Sequence, residues 1–143
     1  MANVLNYKHL ELLERYKRKL SLSQADAEEL FSDVKRYLCL VVATGERLSP
    51  TRAIDAGWHE FLMYTRDYAN FCTRYFGAFV HHAPDPVFMP RFVVSDATAT
   101  VACASDVFGE LGKNWTARAA GDCSADCSPD SDCHGDGSCG GDV

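Results

Sequence analysis

"AIDAGWHEFLMYTRDYANFCTRYFG", residues 53–77, is the stretch that decides the fold. At about 100° per residue, Ile54, Trp58, Phe61, Tyr68, Cys72, Tyr75 and Phe76 fall within one stripe. That spacing predicts a helix whose stripe faces a core. The same stretch begins like a zinc-protease helix and does not complete it. His-Glu-x-x-His sets two imidazoles one turn apart on one metal. Here His59 and Glu60 are followed by Met63, and a thioether does not replace that imidazole as an ordinary zinc ligand.

The flanking segments extend the helical reading. Between Val4 and Leu20, the side chains of Leu5, Leu12, Leu13, Tyr16 and Leu20 lie near one helical face. Ser21 and Gln24 have the spacing of a capping box for a second helix. Leu30, Phe31, Val34, Leu38 and Val41 carry that helix to about Thr44, with Gly45 where a C-terminal cap is expected. Ser49 as cap and Pro50 in the first turn restart the chain into the third helix. Beyond Gly77, "AFVHHAPDP" reads as extended or turning. Ser95-Asp96 then caps a fourth helix that points Val101, Ala104, Phe108 and Leu111 inward and ends at Gly112. No run alternates as a strand would. The expected fold is all-α, a small bundle of about four helices with a disordered C-terminal tail.

The chain has 143 residues, enough for one domain with a real core. No apolar run approaches the roughly 20 residues that span a bilayer, so no membrane is expected as a partner. The start, "MANVLNYKHLELLERYKRKL", lacks the apolar core and cleavage site of a secretory signal. The expectation is therefore a cytoplasmic protein with mostly reduced cysteines. Charge divides the chain into two regimes. All 14 Lys and Arg precede residue 119, while the final 25 residues hold six Asp and no base, which accounts for the net charge of −6. The division places a helical domain at 1–118 and a flexible, acidic, cysteine-rich tail at 119–143. A neutral body without a basic track argues against nucleic acid as a partner.

Asp55 and His59 are four residues apart, one above the other, at the border of the apolar stripe. An aspartate one turn before a histidine fixes its tautomer or shares a metal with it. The alternative is a surface hydrogen bond. After the turn at Gly77, "HHAP" could fold back and bring one imidazole toward His59, since in an extended segment only one of His81 and His82 can face the helix; the alternative is that one histidine caps a carbonyl and the other is exposed. Two imidazoles and a carboxylate suit zinc or another borderline divalent ion. Glu60, at another azimuth, reads as solvated. Cys39, Cys72 and Cys103 read as small packing residues.

The tail carries Cys123, Cys127, Cys133 and Cys139 in a C-x3-C-x5-C-x5-C spacing. Its first pair matches a zinc knuckle, and the second is too wide. Thiolates here would bind zinc or copper(I), form disulfides, or serve no fixed role. "DSDCHGDGS" starts like a calcium loop, but His134 replaces an acid and Gly141 occupies the terminal Glu position, so calcium is not expected.

Asp55, Trp58, His59, Tyr68, Cys72, Gly77 and His82 follow in order a pattern of Asp, Trp-His, Tyr, Cys, Gly and His. In this the chain resembles the glycine-rich domain-containing protein-like family of bacteria and plants. "FGELGKNW", residues 108–115, looks like a weaker second block. The resemblance covers about a quarter of the chain well and implies a mainly helical domain. It implies that Asp55, His59 and His82 form one site, and favours His82 over His81. It implies no reaction.

Together these observations predict a small helical metal-binding protein. His59 and His82 would be ligands, Asp55 a third ligand or an orienter, and Cys123, Cys127, Cys133 and Cys139 a softer second site. The partner would be a metal ion and possibly another protein. Two alternatives stand beside it: a helical protein-interaction module without metal, and a hydrolase using a metal-activated water near Asp55.

Overall fold

Local breaks divide two of the stretches that periodicity reads as continuous helices. A computed structural model describes residues 2–82 and 97–116. Among them are six α-helices: α1 (Ala2–Leu5), α2 (Leu10–Lys19), α3 (Gln24–Thr44), α4 (Arg52–Leu62), α5 (Thr65–Phe76) and α6 (Ala97–Phe108). A short 3-10 turn follows at Lys113–Trp115, and no strand occurs among the described residues. The all-α expectation holds.

The first break places Tyr7 between α1 and α2, where its ring packs 5.0 Å from Phe71 and 6.2 Å from Phe31. An aromatic turned into the core from a loop is incompatible with an unbroken surface helix. His9 then caps α2, its Nδ1 accepting from the Leu12 N–H at 3.1 Å. Lys35 of α3 secures the loop from below, donating from Nζ to the carbonyls of Leu5 and Tyr7 at 2.7 and 2.8 Å. Burial lowers the pKa of that ammonium to about 8.

Ser21 does not cap α3. It adopts a left-handed conformation at φ 54° just past the end of α2, and Ser23 supplies the cap, its Oγ accepting from the Asp26 N–H at 3.1 Å. Gly45 closes α3 in the left-handed region, as expected. Thr51, rather than Ser49, caps α4. Its hydroxyl accepts from the Ile54 N–H and donates to the Asn114 carbonyl, a double task that Ser49 is not placed to perform. At the other end of the chain, Gly109 at φ 76° ends α6 three residues before the expected Gly112. The expected Ser95-Asp96 cap lies outside the described residues.

The break between α4 and α5 spans Met63 and Tyr64, and α5 then turns back onto α4. α3 runs through the centre, against α1, α2, α4 and the 3-10 turn. At its closest approach to α4, a Cβ on Gly57 would lie 3.0 Å from Leu30 Cγ and Val34 Cγ2. The missing side chain is what lets the two backbones meet there. Tyr16 of α2 donates to the Gly57 carbonyl at 2.7 Å, joining three helices at one point. Phe31, Phe61, Phe71 and Tyr68 complete a buried aromatic cluster with edge-to-face contacts.

Candidate metal centre

α4 presents Thr51, Asp55 and His59 at i, i+4 and i+8, so they share one helical face. The cap at Thr51 and the packing of Ile54 and Trp58, both buried, fix the rotation of that face. The third residue of the site arrives by a different route. Gly77 ends α5 at φ 75°, and residues 78–82 run without helix or strand. Tyr68 holds this segment in place. Its hydroxyl accepts from Trp58 Nε1 at 3.0 Å and donates to the Val80 carbonyl at 2.7 Å. One buried oxygen thus ties α4, α5 and the returning chain together.

Two residues past Val80, the His82 ring lies over Trp58 with centroids 4.5 Å apart, and 4.2 Å from the His59 ring. His81 points elsewhere, against Phe79 at 4.8 Å. His82 Nε2 donates to Asp55 Oδ1 at 2.8 Å. His59 Nδ1 donates to the Asp55 main-chain carbonyl at 2.9 Å and lies 3.3 Å from Asp55 Oδ2. Because carboxylate and carbonyl oxygens only accept, these contacts assign the ring protons. In a neutral ring this leaves the lone pair of His59 on Nε2 and that of His82 on Nδ1. One donor atom from each of the three residues lies within 4.8 Å of the others. His82 is largely covered, with its side chain 13 % exposed, whereas His59 is 53 % exposed. The cluster therefore opens on the His59 side.

Two arrangements around an ion are chemically available. Asp55 can ligate directly, since donors on a tetrahedral zinc with bonds near 2.0–2.1 Å sit about 3.3 Å apart, close to the 2.8 and 3.3 Å spacings here. Alternatively, Asp55 can hold the ring protons while His59 and His82 ligate through their other nitrogens, the usual arrangement around a metal-bound imidazole.

Other residues singled out in the sequence take structural roles. Glu60 is not solvated: it forms an ion pair with Arg15 that ties α4 to α2. No patterning signal links Arg15 to Glu60 across 45 residues. Met63 is 66 % exposed at the C-terminal end of α4, so the incomplete protease motif runs out of helix where its second histidine would stand. Cys39 and Cys72 are buried and Cys103 is half-buried, all free thiols. Burial pushes the Cys39 thiol up, away from the reactive thiolate. Cys123, Cys127, Cys133 and Cys139 lie outside the described residues.

A family model described as UCP032817-like matches residues 4–101. The chain belongs to the UCP032817-like family. This corrects the resemblance to a glycine-rich domain-containing protein-like family, which rested on spaced residues over about a quarter of the chain. The UCP032817-like match runs from α1 into α6, includes Asp55, His59 and His82, and ends before the cysteine-rich residues. Within this UCP032817-like chain, Trp58 and Tyr68 of the supposed signature are joined by a buried hydrogen bond, and Gly77 ends a helix. No curated protein and no solved structure matches the chain. No helix among the described residues is long and apolar enough to cross a membrane.

Proposed function

We propose that this protein binds a divalent metal such as zinc through His59 and His82, with Asp55 as third ligand or as the group that orients both rings. The observation that carries the reading is the convergence of these three side chains from a helix and a separately anchored segment, 27 residues apart in sequence. Two imidazoles and a carboxylate are a borderline-metal donor set. The thiols of Cys123, Cys127, Cys133 and Cys139 add softer donors suited to zinc or copper(I).

The test is elemental analysis of protein prepared without chelator or affinity tag and then loaded with zinc. The full chain is compared with a chain ending at Arg118, each with and without His59→Ala and His82→Ala. One equivalent in the shortened chain, lost in both histidine variants with helicity unchanged, is the expected result. Zinc content indifferent to both histidines would refute the reading.

A second reading rests on a separate observation. An open groove of about 320 Å³ is lined by Val41, Val42, Phe76, Phe79 and Val80, with Val42 and Phe79 each 42 % exposed. This groove is the surface that a helical protein-interaction module would offer a partner. Under that reading the histidine substitutions alter stability and leave metal content unchanged.

A further inference from the structure

We propose that a cleft between the α3–α4 connection and the first turns of α6 binds a small organic carboxylate, its acid group held by Arg47 and Thr100. The inference stands apart from the metal-binding reading, since none of its residues belongs to the Asp55, His59 and His82 cluster.

The walls are the first argument. The cleft has a volume of about 560 Å³, and its lining includes Arg47, Leu48, Ser49, Ala99, Thr100 and Ala102. Small-molecule sites measure roughly 300–1,000 Å³, with mostly apolar walls and a few placed polar groups. Here Leu48, Ala99 and Ala102 offer the apolar surface. Both walls are fixed. The Leu48 N–H donates to the Glu46 carbonyl at 3.1 Å, and the Leu48 carbonyl accepts from the Tyr37 hydroxyl at 2.6 Å. On the other side, Ala104 is fully buried, and the Arg36 guanidinium lies over the Phe108 ring at 5.8 Å, which pins α6 to α3.

Charge and polarity are the second argument. Arg47 enters none of the ion pairs among the described residues. No acidic residue is among the described residues that line the cleft, and Glu46 lines the other groove instead. The dipole of α6 turns its positive end to the same wall. The Thr100 hydroxyl is what points to a ligand. Thr100 is 1 % exposed, and its Oγ1 has no hydrogen-bond partner. A buried hydroxyl in that state calls for an explanation, and a carboxylate oxygen seated in the cleft would accept from it. One guanidinium matches one carboxylate in a bidentate pair. A phosphate beside Leu48, Ala99 and Ala102 would leave oxygens unpaired.

The probe is octanoate, with octanol as its uncharged counterpart and inorganic phosphate as an anion without an apolar body. Each is titrated into the full chain and followed by calorimetry and by amide chemical shifts. Octanoate should saturate at one equivalent and shift the amides of Leu48, Ala99 and Ala102, while octanol and phosphate bind at least about tenfold more weakly. Arg47→Gln should weaken octanoate on the order of 10–100-fold, the worth of a hydrogen bond to a charged group. Thr100→Val keeps the side-chain shape and removes the hydroxyl. It should weaken octanoate about tenfold while raising the urea midpoint of the free protein, because an unpartnered buried group is gone. A hydroxyl that only packs would give the second effect without the first.

Octanol bound as tightly as octanoate would reduce the cleft to apolar surface, and phosphate bound more tightly would make it a phosphate site. Octanoate shifts confined to Val41, Val42 and Val80 would place the probe in the other groove. Each result overturns the inference. So does the lack of saturation at millimolar octanoate, or an affinity that either substitution leaves unchanged.

Discussion

Tyr68→Phe removes one oxygen and should loosen both the fold and the candidate site. The hydroxyl is buried, accepts from Trp58 Nε1 and donates to the Val80 carbonyl. Without it the indole N–H is left unpaired in the core, which costs about 1–3 kcal/mol. The Val80 carbonyl is only half-buried, so water can replace the lost donor and the cost there is about 0.5–1.5 kcal/mol. The expected total is about 2–4 kcal/mol, or roughly 10–20 °C in Tm for a body of this size. Tyr37→Phe is the internal comparison. Its hydroxyl makes one bond, to the Leu48 carbonyl at 2.6 Å, and its loss should cost about 1 kcal/mol.

The assay is urea unfolding followed by circular dichroism, with the fluorescence of the two buried tryptophans, Trp58 and Trp115, as a second probe. Since His82 lies two residues beyond Val80, zinc affinity under the metal-binding reading should also fall, by about 10–100-fold, as when a group that orients a ligand is removed. A Tyr68→Phe protein within 0.5 kcal/mol of the parent would refute the bridge as the anchor of the segment. Lost stability with zinc affinity unchanged would show that His82 is held by other contacts.

Other substitutions test separate parts of the argument. Gly57→Ala should destabilise by about 1 kcal/mol net, because overpacking against Leu30 and Val34 outweighs the helical preference for alanine; a more stable variant would show that the α3–α4 contact yields. Lys35→Met leaves the Leu5 and Tyr7 carbonyls without their charged donor, so amide exchange in residues 2–8 should rise with little change in α3. Alkaline titration tests burial of the tyrosines. Burial pushes the hydroxyls of Tyr16, Tyr37 and Tyr68 well above their ordinary value. Below about pH 10 the neutral form prevails in both states, while above it the unfolded chain ionises first. Stability should therefore fall as pH rises beyond 10. Lys35 acts with the opposite sign, adding stability as pH rises between about 8 and 10.5. The urea midpoint measured from pH 8 to 11 reads both.

Some of this architecture was legible in the sequence because it is local. Gly45 could be placed as a cap, and Gly77 as the point where the stripe is interrupted, because a glycine after an apolar stripe has few alternatives. Asp55 and His59 could be paired because helical spacing alone brings them together. The break between α4 and α5 was hidden for the same reason. Phe61 and Tyr68 are seven residues apart, in phase with a single helix, so the stripe continues across a turn that reverses the chain. Tyr7 carried no periodic signal, and a histidine cap at His9 has no conventional spacing. His82 was reachable only as one of two alternating residues. Its place over Trp58 depends on the Tyr68 bridge, a contact across two helices and a loop that no local pattern reports.

That dependence separates two jobs within the stretch that first drew attention. Trp58 and Tyr68 are scaffold: both are buried, bonded to each other, and in contact with the aromatic cluster. Asp55, His59 and His82 are the candidate ligands at the edge of that scaffold, and their coverage grades from the enclosed His82 to the exposed His59. Neither job explains the other. A Trp–Tyr hydrogen bond stabilises the core without any histidine nearby, and a histidine over an indole packs adequately without an aspartate. Both imidazoles donating to one residue is what packing alone does not require. A carboxylate between two imidazoles on an opening surface orients both rings, and that orientation is the feature the metal-binding proposal is built on.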